Sequence, residues 1–133
     1  MKKILLIAII LCLASVSLLS GCGESTPVES FVLSDQELGD REAIENAVQP
    51  AEYTAGKDIF ACVSFIESPK GMKYTVHWLQ DGQIIKTEDK EMITGPRGVI
   101  VYTLEKEKLR AGTLTAQILY KGEVLAENSV TVK

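Results

Sequence analysis

The chain has 133 residues, 14 basic and 18 acidic, for a formal net charge of −4, a length suited to one ordinary domain. Its acidity argues against nucleic acid, whose binding depends on Lys and Arg neutralising phosphates, and against polybasic docking on anionic lipid. With Cys12 inside an N-terminal signal, the one histidine and one or two remaining cysteines cannot build a zinc site of the usual four-ligand kind. No metal and no cofactor are expected.

In chain order the first element is a secretory signal. Lys2 and Lys3 give the positive start, residues 4–19 form an apolar run relieved by small residues such as Ser15 and Ser17, and Ser20 and Gly21 precede Cys22. The run is shorter than the about 20 residues of a spanning helix, and no later segment is apolar enough to cross a bilayer. Removing residues 1–21 takes away Lys2, Lys3 and Cys12, leaving 12 bases against 18 acids, a net charge of −6. Cys22 and Cys62 remain. Export would permit a disulfide, but two cysteines make no framework, and modification of Cys22 would leave Cys62 alone.

The box "LSGC" at 19–22 resembles the lipobox of bacterial lipoproteins, a likeness that covers the first 22 residues. The resemblance implies cleavage between Gly21 and Cys22, a diacylglyceryl thioether on Cys22, and a protein held by lipid outside the bacterial cell membrane. Burying acyl chains contributes roughly 0.8 kcal/mol per CH₂, and two or more chains hold a protein where one does not.

Residues 22–50 read as an acidic stalk, rich at its start in Ser, Thr, Pro and Glu. Fully extended, 23–49 would span at most about 90 Å. Two local signals interrupt it. "VESFVL" at 28–33 reads as a first strand. "SDQE" at 34–37 has the capping-box form, and Ala43, Ile44, Ala47 and Val48 share one helical face, which predicts a short helix over 35–48. The competing expectation is a mobile spacer.

From Ala51 the apolar period becomes two, and 51–133 reads as the folded body. Ile59, Ala61, Val63 and Phe65 alternate inward; Tyr74, Val76 and Trp78 follow on the next strand. Asp81–Gly82 is a hairpin signal leading into "QIIKTE". "GPRG" turns the chain into "VIVYTL" at 99–104. A charged crossing then leads to Leu114, Ala116 and Ile118, and Lys121–Gly122 turns into a last strand with Val130 and Val132 inward. Six strands, or seven with 28–33, at about ten-residue spacing predict an all-β antiparallel sandwich. The expected core is Val63, Phe65, Val76, Trp78, Leu114, Ile118, Val130 and Val132. Residues 51–133 alone make a small core, so the early strand is needed to close it.

Trp78, 16 residues after Cys62, and Gly112 within "RAGTLTA" resemble the core tryptophan and the corner motif of immunoglobulin-like domains. The resemblance implies that architecture and transfers no binding residues. Arg110, Leu114 and Ala116 stand where the Asp, Tyr and Cys of the corner would be, so neither the disulfide nor the tyrosine corner is expected.

One sheet looks apolar on both faces. With Ile59, Ala61, Val63 and Phe65 inward, Phe60, Cys62 and Ile66 point out. With Ile100, Tyr102 and Leu104 inward on the neighbouring strand, Val99 and Val101 point out. Phe60, Cys62, Val99 and Val101 are therefore a candidate interaction face, since a solvated face normally alternates to polar. Its cover would be the 43–48 face of the stalk, another protein, or a second copy in a homodimer.

Chemistry is sparse. His77 alternates away from Val76 and Trp78, no G-x-S-x-G or phosphate loop occurs, and the acids gather in the stalk, "TEDKE" and "LEKEK", which read as solvated loops. No enzyme is expected. The first functional expectation is a lipid-anchored envelope protein acting through protein contacts in adhesion or envelope assembly. The alternative is a solute-binding lipoprotein feeding a transporter, which needs a concave apolar pocket.

Overall fold

Two tight turns fix the register of the larger sheet. Asp81 and Gly82 have φ of 49° and 86°, and Lys121 and Gly122 have 50° and 82°, the backbone of two-residue hairpin loops whose twist matches the flanking strands. They join β4 (Lys73–Gln80) to β5 (Gln83–Glu91) and β7 (Gly112–Tyr120) to β8 (Glu123–Val132). The computed structural model describes residues 26–133; Gly21, Cys22 and the signal segment lie outside them.

The other elements are β1 (Val28–Ser34), the helix α1 (Arg41–Asn46), β2 (Glu52–Tyr53), β3 (Ile59–Phe65), β6 (Val99–Leu104) and a 3₁₀ turn, Lys106–Lys108. They form a sandwich of a three-stranded sheet, β1-β3-β6, on a five-stranded sheet, β2-β8-β7-β4-β5. Neighbours are antiparallel apart from the short β2–β8 pairing. All eight expected core residues lie in the cluster between the sheets, with Trp78, Tyr74, Tyr102 and Phe65 among the largest fully buried side chains.

The segment 28–50 departs from a plain stalk. Val28–Ser34 is paired along β3, so the fold starts within six residues of Cys22. The helix expected over 35–48 is confined to Arg41–Asn46. Ser34 does not cap it. Ser34 lies in β1, and its hydroxyl accepts the Gln36 N–H at 3.0 Å, a local turn that competes with helix. "TEDKE" is also no loop; it is the second half of β5.

Side chains close the edges of the small sheet. At β1, Gln49 Oε1 accepts the Leu33 N–H at 2.8 Å, Asn128 Nδ2 donates to the Phe31 carbonyl at 2.9 Å, and the Tyr53 hydroxyl donates to the Leu33 carbonyl at 2.7 Å. Gln49 and Asn128 also exchange hydrogen bonds at 3.0 and 2.7 Å. At β6, Lys86 Nζ and Lys90 Nζ each donate at 2.6 Å, to the Thr103 and Val101 carbonyls. Both lysines sit opposite core residues of β4, Trp78 and Tyr74, so they point toward the small sheet and finish hydrogen bonds that no strand supplies. Lys86 also meets Glu105 at 2.8 Å, and that hydrogen bond is the first cause holding the Glu105 carboxyl below its usual range.

Across the core, the Tyr102 hydroxyl of β6 donates to the Tyr74 carbonyl of β4 at 2.7 Å. Burial pushes the Tyr102 phenol far above its ordinary 10.0, with Glu88 and Asp89 adding to the shift. The neutral phenol is the form the fold favours. Its stabilisation is therefore complete below pH 10.0 and is lost as pH rises from there toward the raised value. Tyr102→Phe should cost about 1–2 kcal/mol near neutral pH and flatten the loss of stability above pH 10.0, both read from urea unfolding across pH.

Candidate interaction surface

The outward residues of the small sheet come together as the alternation requires. Cys62 stands between Val32 of β1 and Val101 of β6, Ser64 is opposite Val99, and Phe60 is opposite Thr103. Residues 35–50 then fold back over much of this face. Ile44 of α1 is 1% exposed, and the Cys62 sulfur lies 3.9 Å from the Gln36 carbonyl. Cys62 is fully buried and leaves the candidate surface. Burial raises its thiol above the ordinary 9.0, Glu37 adds to this, and a hydrogen bond to the Leu38 backbone opposes it. The native thiol is therefore a poor nucleophile.

Arg41 fixes this cover at one end. Its Nη1 donates to the Phe65 carbonyl at 2.6 Å and to the Arg97 carbonyl at 3.5 Å. The guanidinium also pairs with Glu29 of β1 and, at 3.2 Å, with Glu45 one helical turn on. One planar cation thus ties α1 to β1, to β3 and to the β5–β6 loop, a use that suits the several fixed donors of Arg.

Val99 and Val101 remain half-buried, as does Phe60, which borders a hollow with Asp35, Lys57 and Lys106. Val48, expected on the packed helix face, is 90% exposed, because the chain leaves the helix at Ala47 with ψ 141°. A larger open cleft of about 840 Å³ lies between residues 35–50 and 52–59, lined by Leu38, Asn46, Tyr53 and Lys57 among others. Several of its polar groups already have partners. Tyr53 is bonded to Leu33, and Lys57 stands 3.9 Å from Asp35.

His77 is half-buried on the outer face of the large sheet, between Thr87 and Gln117. That face is polar, with cross-strand pairs Thr75–Asp89 at 2.6 Å and Thr115–Ser129 at 2.8 Å. Of the aromatics, Trp78, Tyr74 and Tyr102 are core; Tyr120 is half-buried, with Lys121 Nζ 5.3 Å from its ring centroid. The Asp81–Gly82 turn is short and engaged, since the Asp81 carboxylate accepts the Thr113 N–H at 2.9 Å. Gly112 is needed beside it: its φ is 137°, and a Cβ there would stand 2.6 Å from Asp81 Oδ2. Among the described residues no three His, Cys, Asp or Glu side chains gather as metal ligands.

No family model matches this sequence, and no curated protein is significantly similar to it. Solved structures show the fold. An immunoglobulin-like protein from Pseudomonas aeruginosa aligns with TM-score 0.51 and 15% identity, over 84% of this chain and 99% of that one. A β-glucosidase from Listeria innocua aligns at TM-score 0.44 and 13% identity over 62% of this chain and 14% of its own. A superoxide reductase (neelaredoxin) from Ignicoccus hospitalis aligns at 0.41 and 16% identity over 63% and 76%. At 15% identity the first of these shows the fold alone: this is an immunoglobulin-like sandwich.

In that frame Trp78 is the buried tryptophan, and its register partner on β7 is Ala116, where a disulfide-bonded domain carries cysteine. Cys62 is one residue out of phase, facing the cover and not the core. The folded protein should therefore resist a thiol-alkylating reagent at Cys62 and react on unfolding. A chain starting at Ala51, without β1 and α1, should react readily and lose cooperative unfolding; mass shift against time reads both.

Proposed function

We propose that this immunoglobulin-like sandwich is a lipid-anchored, non-enzymatic module of a bacterial envelope that works through protein contacts. The observation that carries the reading is the pairing of "LSGC" at 19–22 with a domain that starts at Val28. A lipid on Cys22 would hold a folded body close to the membrane. An interior filled by its own aromatic side chains supports a role in presenting surfaces rather than enclosing a substrate. Phe60, Val99 and Val101, half-buried on the outer face of the small sheet, are the first surface for a partner, whether another protein or a second copy.

The open cleft beside Tyr53 and Lys57 is the feature that favours the solute-binding alternative. A solute site wants an apolar pocket with free polar groups converging on it. Two of the polar groups here, the Tyr53 hydroxyl and the Lys57 ammonium, are paired within the chain, which favours protein contacts.

Mass analysis of protein extracted from its native membrane should find a chain beginning at Cys22 with a diacylglyceryl group on sulfur. Cys22→Ser should move most of the protein from the membrane fraction to the soluble one. A bare Cys22 thiol on membrane-derived material would refute the anchor.

A further inference from the structure

Strand directions place one end of the sandwich at the start of β1, six residues after Cys22 in the chain. β1 starts at Val28 opposite Phe65, and the Pro27 carbonyl accepts the Ile66 N–H at 2.8 Å. The same end holds the β3–β4 loop (66–72), the β5–β6 loop (92–98) and the Lys121–Gly122 turn. Five residue steps separate Cys22 from Pro27, a reach of at most about 17 Å. The ten residues of β8 run about 33 Å along the sandwich. On so short a leash this end stays near the lipid and the opposite end stands away from it.

The loops of this end are bonded to each other, and the end is richer in exposed apolar and basic side chains than the acidic chain as a whole. The two loops are hydrogen-bonded to each other, Ser68 N–H to the Pro96 carbonyl at 2.8 Å and Gly71 N–H to the Met92 carbonyl at 2.7 Å. Arg41 ties Phe65 to Arg97 from below. Of the five exposed large apolar side chains among the described residues, Ile93 (73%) and Ile66 (37%) lie in these loops, and Val124 (46%) is two residues past the turn. Lys70, Lys73, Arg97 and Lys121 outnumber Glu67, Glu91 and Glu123 there, although acids outnumber bases 18 to 14 in the whole chain.

We propose that this loop end rests on the headgroup layer of the bilayer that holds Cys22, with Ile93 and Ile66 at the apolar boundary and Lys70, Arg97 and Lys121 toward lipid phosphate. The inference rests on the lipid-anchor reading above. Long cationic side chains keep their charge at the headgroups while their stems cover apolar surface, and each basic residue near an anionic leaflet contributes about 1 kcal/mol. The acidic body would not dock unaided. A tether makes the contact intramolecular, at an effective concentration in the millimolar range for short linkers, so a weak surface is enough. The opposite end and the cleft beside Tyr53 then face outward.

The test compares Ile93→Trp with Glu107→Trp, at the opposite end, in otherwise unchanged lipidated protein in phosphatidylcholine–phosphatidylglycerol vesicles carrying headgroup-nitroxide lipid. The signal of Trp78, buried and common to both, is subtracted. Trp at 93 should lose most of its emission and Trp at 107 little. Replacing Lys70, Arg97 and Lys121 together with Glu should reduce the loss at 93. Equal quenching at both positions, or more at 107, overturns the orientation. Repeating the comparison with unlipidated chain coupled through the Cys22 thiol to a maleimide lipid separates the two ideas. A bare thiol in native material refutes the anchor, whereas equal quenching in the coupled protein refutes the orientation alone.

Discussion

The fold depends on the condition of its smaller sheet. Three strands are apolar on both faces and, as a free-standing sheet, would leave both edges with unpaired peptide groups. Burying Cys62 on the side away from the core requires a second layer, and residues 35–50 provide it through Ile44 and the backbone at Gln36. Satisfying the edges requires donors and acceptors from outside the sheet, and Gln49, Asn128, Tyr53, Lys86 and Lys90 provide them. An unpaired buried peptide group costs about 1–3 kcal/mol, so these contacts are comparable with a large share of a small domain's net stability. What looks in composition like a tether is a structural layer.

The absence of a cystine between the sheets has a related consequence. With Ala116 beside Trp78 and Cys62 facing outward, the sheets are held by packing, by the Tyr102–Tyr74 hydrogen bond in the core and by the side-chain bonds along the edges of the small sheet. Phe65 and Tyr74, with ring centroids 4.4 Å apart, and Tyr74 and Tyr120, at 5.7 Å, extend this packing toward the loop end. The loop end is therefore continuous with the core, which explains how short loops carrying Ile93 and Arg97 keep a fixed shape.

Much of this was legible in the residues. Alternation placed Val63, Phe65, Val76 and Trp78 inward, because a half-buried strand has a period of two, and Asp81–Gly82 and Lys121–Gly122 marked the hairpins through the φ values that such turns demand. The double apolar face followed from the same counting once the sandwich architecture made β3 and β6 neighbours. Other features had no local signal. Arg41 reaches a carbonyl 24 positions away, and Asn128 reaches one 97 positions away; only the tertiary fold brings them together. The helix was misplaced because the four-residue face from Ala43 to Val48 is a real pattern of which the fold uses chiefly Ile44. The chain must turn extended at Ala47 to deliver Gln49 to Leu33. Charge in β5 misled in a similar way: "TEDKE" at 87–91 read as loop, yet Glu88 and Lys90, like Lys86 before them, are inward positions on an edge strand, a known way of guarding such a strand.

That guarding limits how anything else can attach. β1 and β6 have backbone groups already engaged by side chains, β2 is two residues long, and β5 carries Lys86, Glu88, Asp89, Lys90 and Glu91 in its second half. A peptide seeking to extend the small sheet by β-augmentation would find no clean row of vacant amides and carbonyls at β1 or β6, and at β5 it would meet charged side chains beside the open edge. Recognition at the small sheet must then run through side-chain shape and charge on a face or an end, which makes selectivity there a matter of a few exposed residues and leaves little opportunity for indiscriminate backbone pairing.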